Sequence, residues 1–173
     1  MSMKIDALRQ RPRKAEKGQS LVEMALGMVI LIMLLSGLLD LGRIWYIYVA
    51  LEDAAGEAAL YLSLDPFCLD ETDERPTLDP ALKFCTDPNN AEYRARNAVG
   101  QDVLDWSLVQ EKVTVPLDLL GNPVVDVGEQ VSVELTYPVQ LLTPIIPQFV
   151  GFNPLVLKSH ATQTIIREWK DDS

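Results

Sequence analysis

"MALGMVILIMLLSGLL", Met24–Leu39, contains no ionisable residue. Whether it is a buried core helix or a membrane span decides what kind of protein this is. The apolar run reaches back to Leu21, interrupted only by Glu23. At about 1.5 Å per helical residue it covers roughly 28 Å, the thickness of a bilayer's hydrocarbon. A core helix needs only one apolar face, whereas this run is apolar on every face. The spacing predicts a membrane-inserted helix. A secretory signal peptide is the competing reading, but its apolar region would be shorter, at about 7–15 residues, with a small-residue cleavage site behind it. Here the run passes straight into "DLGRIWYIY", residues 40–48.

Charge supports the same reading. The chain has 173 residues and a net charge of −10. Its first stretch is nevertheless basic: Lys4, Arg9, Arg11, Arg13, Lys14 and Lys17 against Asp6 and Glu16. A basic leader before an apolar run predicts a cytoplasmic N-terminus and an acidic body on the other side. Trp45, Tyr46 and Tyr48 would then form an aromatic belt at the outer interface. The acidic body argues against nucleic-acid binding, which needs a basic footprint.

Beyond the run, Leu41, Ile44, Trp45, Tyr48, Leu51, Ala55, Ala58, Ala59 and Leu62 recur at helical steps, while Asp40, Arg43, Asp53 and Glu57 lie off that stripe. One helix is therefore expected from about Ser20 to Ser63, half membrane stem and half packed on an external domain. Ala50, Ala54, Ala55, Ala58 and Ala59 would let another element approach closely. Pro66 ends the helix, and an acidic, proline-rich loop follows at 65–90 with both cysteines, Cys68 and Cys85. An extracytoplasmic address permits a disulfide between them, the alternative being two free thiols. Metal binding lacks a CxxC pattern or a nearby histidine. Asp70, Glu71, Asp73 and Glu74 lack the glycine and terminal glutamate of a calcium loop and read as a solvated acidic loop. Asp87-Pro88 predicts the start of a second helix of about 18 residues, with Ala91, Ala95, Ala98, Val99, Val103 and Trp106 inward. Arg94 and Arg96 read as its solvated face, with binding of an anionic partner as the alternative.

After Trp106 the apolar period falls to two. Val113, Val115 and Leu117 suggest a first strand, and "GNP" at 121–123 a turn. In "EQVSVELTY", residues 129–137, Val131, Val133, Leu135 and Tyr137 alternate with polar residues, as in a half-buried antiparallel strand. A third strand is expected at 154–167, with Leu155, Leu157, Ala161 and Ile165 inward and His160 on the polar face. Between them, residues 138–154 are apolar, but prolines at 138, 144 and 147 argue against a regular helix or central strand. That segment would fold over the sheet as a lid or stay exposed as a partner or membrane surface. The fold class predicted is α+β: a long N-terminal helix, a second helix and a small antiparallel sheet.

Glu23 is the exception within the apolar region. "SLVE", Ser20–Glu23, fits a capping box with Ser20 as N-cap, and this alone accounts for a carboxylate in a first helical turn. The wider context, "RKAEKG" followed by "QSLVEMALGMVILIMLL", residues 13–35, resembles the class III signal of type IV pilin-like proteins. The resemblance implies cutting by a prepilin peptidase after Gly18, with Lys17 as the preceding basic residue, Gln19 as the new N-terminus and Glu23 as the glutamate at mature position five. Many type IV pilins carry Phe or Met where this chain has Gln19. "LLDLGRIWYIYVALEDAAGEAALY", residues 38–61, with "EDAAGEAA" at 52–59, and "VSVELTYPVQLLTPII", residues 131–146, are similar to TadE-like proteins.

That resemblance implies a minor pilin or pseudopilin of the tight-adherence (Flp-type) pilus machinery, without enzymatic activity, cofactor or small-molecule substrate. It implies a cleaved leader at 1–18, a transmembrane helix at 19–40, an extracytoplasmic domain at 41–167 and a polar tail at 168–173. The partners it implies are the membrane, the prepilin peptidase, other pilins or pseudopilins, and the Tad membrane platform. The address is the cytoplasmic (inner) membrane, single-pass, or a pilus outside the cell. Within an array, Glu23 would pair with the N-terminal amine of a neighbouring subunit. The alternatives are a pseudopilin of a related secretion system and a single-span adhesin or receptor. A membrane-anchored enzyme lacks a nucleophile–base pair, metal cluster or phosphate loop.

Overall fold

The computed structural model describes residues 15–75, 83–100, 103–115, 125–142, 151 and 154–167, with side chains from Gly18 onward. The turn expected at 121–123, the tail at 168–173 and most of the leader lie outside the described residues. So does the middle of the apolar segment, 143–150. The chain divides into two compact units, Met1–Leu39 and Asp40–Ser173.

Helix α1, Ala15–Leu64, belongs to both units. Its end agrees with the expected one, and its start lies a turn and more before Ser20. In the first unit the apolar side chains from Leu21 to Leu39 are exposed, Leu26, Leu34 and Leu39 each by about two thirds. Among the described residues this is the one helix long and apolar enough to cross a membrane.

In the second unit α1 becomes one-sided. Ile47, Ala50, Leu51, Ala54, Ala55, Ala58, Ala59 and Leu62 are buried. Glu52, Asp53 and Leu60 on other faces are exposed. This face shares one core with the inward residues of the sheet, and Leu51 and Leu62 are its large, fully buried side chains. Full burial of each leucine contributes about 1.5–3 kcal/mol. The predicted stripe does not hold at its N-terminal end. Leu41 and Trp45 are exposed, whereas Asp40, read as off-stripe, is buried.

The sheet has three antiparallel strands in the order β1-β2-β3: β1 Gln110–Thr114, β2 Gln130–Val139 and β3 Leu155–Thr164. Val131, Val133, Leu135, Tyr137 and Val139 face the α1 core, as the alternation predicts, and Ile165 joins them. His160 lies opposite Glu134 on the outer face, where Lys158 Nζ donates to Glu134 Oε1 at 2.9 Å. The irregular stretch expected from Pro138 begins only after Val139. β2 runs through Pro138, which pairs with Val156. The pairing of β1 stops at Gln110↔Thr136, so at Pro138 strand β2 has β3 alone as neighbour. One side there is a sheet edge, where a residue without an N–H is tolerated.

Helix α2, Ala91–Val99, is half the expected length. Gly100, at φ +78°, ends it, and a separate 3-10 turn carries Trp106–Leu108. Ala91 and Ala95 are buried as predicted, but Ala98 is exposed. The cap is Asn90 rather than Asp87: Asn90 Oδ1 accepts from the Tyr93 N–H at 2.7 Å. Asp87 Oδ1 instead accepts from Asn90 Nδ2 at 2.7 Å and so orients the cap.

Candidate assembly and processing site

Lys17, Gly18, Gln19 and Glu23 all lie on α1. The helix runs through the Gly18–Gln19 bond without a break, so Ser20 is interior to it and not an N-cap. The capping box is therefore corrected: N–H groups that would be orphans in a helix starting at Ser20 already have a helical turn before them. Glu23 finds a side-chain partner instead, with Gln19 Nε2 donating to Glu23 Oε1 at 3.1 Å. Both residues are exposed. Gly18 is equally open, and a Cβ added there would meet nothing within 4 Å. Glycine inside a helix costs about 1 kcal/mol relative to alanine, so the packing of this chain gives no reason for it.

Cys68 and Cys85 form a disulfide with a Cα–Cα distance of 5.4 Å. Both are fully buried, and the loop they close has a centre that sequence reasoning missed. Arg75, itself buried, donates from Nε to Asp65 Oδ2 at 2.6 Å. Its Nη1 donates to the Phe84 carbonyl at 3.1 Å. Its Nη2 donates to the Asn89 carbonyl at 3.2 Å and to the Tyr61 hydroxyl at 3.4 Å. One guanidinium thus ties the end of α1 to both sides of the disulfide loop. A planar group with five donors suits that task, and a lysine would not satisfy the same acceptors. Burial and the nearby Asp65 raise the pKa of Tyr61, against the opposing hydrogen bond from Arg75.

The acidic cluster is not simply solvated. Asp73 Oδ2 accepts from the Leu69 and Asp70 N–H groups, at 2.8 and 3.2 Å. Asp70 Oδ1 accepts from the Thr72 N–H at 2.7 Å and its hydroxyl at 2.6 Å. Such local bonds hold a turn. Glu74 pairs with Lys83 on the surface. Among the described residues no group of three or more His, Cys, Asp or Glu is placed to hold a metal ion.

On α2, Glu92 accepts from Trp106 Nε1 at 3.1 Å and pairs with Arg96, whose guanidinium lies over the Trp106 ring. Arg94 lies over the Tyr61 ring. Both arginines therefore have partners within the domain. Beside them Glu111 projects inward from β1, opposite Leu135. Its Oε1 is buried and takes part in no hydrogen bond among the described residues. Burial, with Glu92 and Asp70 nearby, pushes its pKa up to about 7 against the opposing charge of Arg96.

The part of α1 that opens the second unit carries a further polar contact. Asp40 Oδ1 accepts from the Leu142 N–H at 3.1 Å, and Arg43 Nη1 donates to the Gln140 carbonyl at 3.0 Å. Two side chains one turn apart on α1 thereby hold the chain just after β2.

No curated protein and no solved structure matches the chain. A family model, that of TadE-like proteins, matches residues 18–60. The matched segment starts at Gly18, contains Glu23, Asp40 and Arg43, and takes in the whole apolar run and most of the buried alanine face. The TadE-like family is a pilus-associated structural family rather than one known for enzymes. Over residues 18–60 the chain is similar to the TadE-like family, a Tad pilus-related family with an apolar N-terminal helix.

Proposed function

We propose that this protein is a minor pilin or pseudopilin of a tight-adherence (Flp/Tad) pilus, processed by a prepilin peptidase after Gly18 and integrated through α1. The observation that carries this reading is the coincidence of a TadE-like match beginning at Gly18 with an apolar helix whose side chains, among the described residues, are exposed. Lys17 and the other basic residues hold the leader, 1–18, in the cytoplasm. Residues 19–40 span the membrane, and 41–167 form the extracytoplasmic domain.

Cleavage creates an ammonium on Gln19. A lone carboxylate within a bilayer costs up to about 2.5–3.5 kcal/mol on insertion scales, less near the interface. Pairing Glu23 with the Gln19 amine of a neighbouring subunit offsets the desolvation of both charges and fixes the register between stems. The Gln19–Glu23 hydrogen bond of the uncut chain occupies the same carboxylate, so cutting would exchange one partner for another. The open space around Gly18 supports a role in recognition rather than packing.

The test is the mature N-terminus. Mass spectrometry of the membrane-extracted protein, from cells with an active prepilin peptidase, is expected to find Gln19 first. A terminus upstream of Gly18 overturns the processing role and favours a single-span adhesin.

A further inference from the structure

We propose that the end of strand β2 is seated on the outer lipid surface, held there by Asp40 and Arg43. This rests on reading Met24–Leu39 as the membrane span. Asp40 is the residue directly after that span and Arg43 lies one turn further along α1. Their bonds to Leu142 and Gln140 therefore hold the chain after β2 beside the residues that directly follow the apolar run. Asp40 is buried, and the bond it accepts from the Leu142 N–H offsets part of the cost of burying a carboxylate.

The side chains at this level are of the kind that meets lipid headgroups and the first methylenes. Leu142 is 72 % exposed, and Leu41, Trp45 and Tyr46 are exposed by about as much. Leu41 and Trp45 leave α1 in directions different from that of Asp40, so Leu142 supplies an apolar contact on a side of the helix that α1 itself gives to a polar pair. From Thr136 to Leu157 the sequence has no Asp, Glu, Lys, Arg or His, although the chain as a whole is strongly acidic. An anionic domain near a membrane surface gains from presenting an uncharged strand end, residues 136–142, to it. The occupant is lipid, because exposed Leu142 is hydrogen-bonded to Asp40, the residue that directly follows the span.

The test uses the full chain in phosphatidylcholine vesicles, with an environment-sensitive fluorophore on one introduced cysteine at a time. Cys68 and Cys85 are bonded to each other and stay unlabelled. The probe sites are Leu142→Cys, Met33→Cys in the span and Val127→Cys, separated from Leu142 by the length of β2, about 30 Å. Shallow nitroxide lipids are expected to quench the probe at 142 several-fold more than at 127, and aqueous iodide several-fold less. Asp40→Ala should bring the value at 142 towards that at 127 and leave 33 unchanged. Asp40→Asn, which keeps an acceptor, should retain most of the effect. Arg43→Ala, at an exposed position, gives a second route to the same loss should Asp40→Ala fail to fold.

A probe at 142 that iodide reaches and lipid does not quench, with 33 quenched, overturns the proposal while the span stands. No quenching at 33 removes the span and the proposal together. Shielding from iodide without lipid quenching means a protein surface covers Leu142, which also overturns it. Unchanged quenching at 142 in folded Asp40→Ala and Arg43→Ala proteins overturns the role of the clamp.

Discussion

The two halves of α1 have opposite surroundings. From Leu21 to Leu39 the helix is apolar on every face and its side chains are exposed. From Ile47 to Leu62 it is apolar on one face, which is buried against the sheet. A helix half with its own partner shows it by the period of its apolar residues. A half that relies on a partner outside the chain, lipid or another stem, has no period to show. Asp40 marks the change.

The largest effect should come from truncating matched leucines in the two halves. Leu51→Ala removes a fully buried side chain and should cost about 2–5 kcal/mol of domain stability, read as a fall in Tm of the full chain in detergent. Leu31→Ala should shift the same transition by under about 0.5 kcal/mol. Equal shifts would mean that the exposed half is part of the domain's cooperative unit, and the comparison would fail.

Reducing the disulfide comes next. Cys68 and Cys85 close a loop with a sequence separation of 17, which corresponds to about 3 kcal/mol in the chain-entropy model. Replacing both by alanine should lower Tm accordingly and release the tie between Arg75 and the end of α1. Proteolysis should then begin in the loop at 65–90 while the stem in detergent stays resistant.

Glu111 gives a pH-dependent test confined to the second half. Its folded pKa, about 7, is above the ordinary carboxylate value of 4.5. The folded state therefore holds the proton more tightly than the unfolded one. Ionising Glu111 destabilises the domain as pH rises through about 7, and the penalty disappears below the unfolded value. Glu111→Gln should raise stability by about 2–3 kcal/mol at most at pH 8 and change little near pH 4.5. Melts of wild type and variant that run parallel between these pH values would show that Glu111 is not held in this environment.

The smallest effect on stability, and the largest on assembly, belongs to Glu23. Glu23→Ala should leave the domain's Tm unchanged within about 0.5 kcal/mol, since the residue is exposed and its partner is the neighbouring Gln19. It should leave cleavage after Gly18 largely intact, yet reduce incorporation into isolated pili about tenfold or more, the factor expected when a carboxylate–ammonium pairing of this size is lost. Normal incorporation would remove the pairing and leave Glu23 with its Gln19 contact alone.

Much of the fold was legible because its signals are local. Val131, Val133, Leu135 and Tyr137 alternate, and alternation survives whatever the strand packs against. Other elements were decided by competition. The helix expected from Asp87 loses its cap to Asn90, and Gly100 stops it halfway. Pro138 is accepted in β2 because β1 ends too early to need its N–H. "SLVE" satisfies the pattern of a capping box, but the helix had already begun at Ala15.

By itself, the sequence determined the apolar run, the alternating strands and the alanine face. Each depends on the order of neighbouring residues, and hydropathy and periodicity are properties of that order. Only the tertiary structure decided that Arg75 is the buried hub of the disulfide loop, that Glu111 points inward beside Glu92, and that Asp40 and Arg43 hold the chain after β2. A single charged residue has no period. Its role is set by the distant backbone groups that folding brings within hydrogen-bond reach, and Leu142 lies about a hundred residues from Asp40.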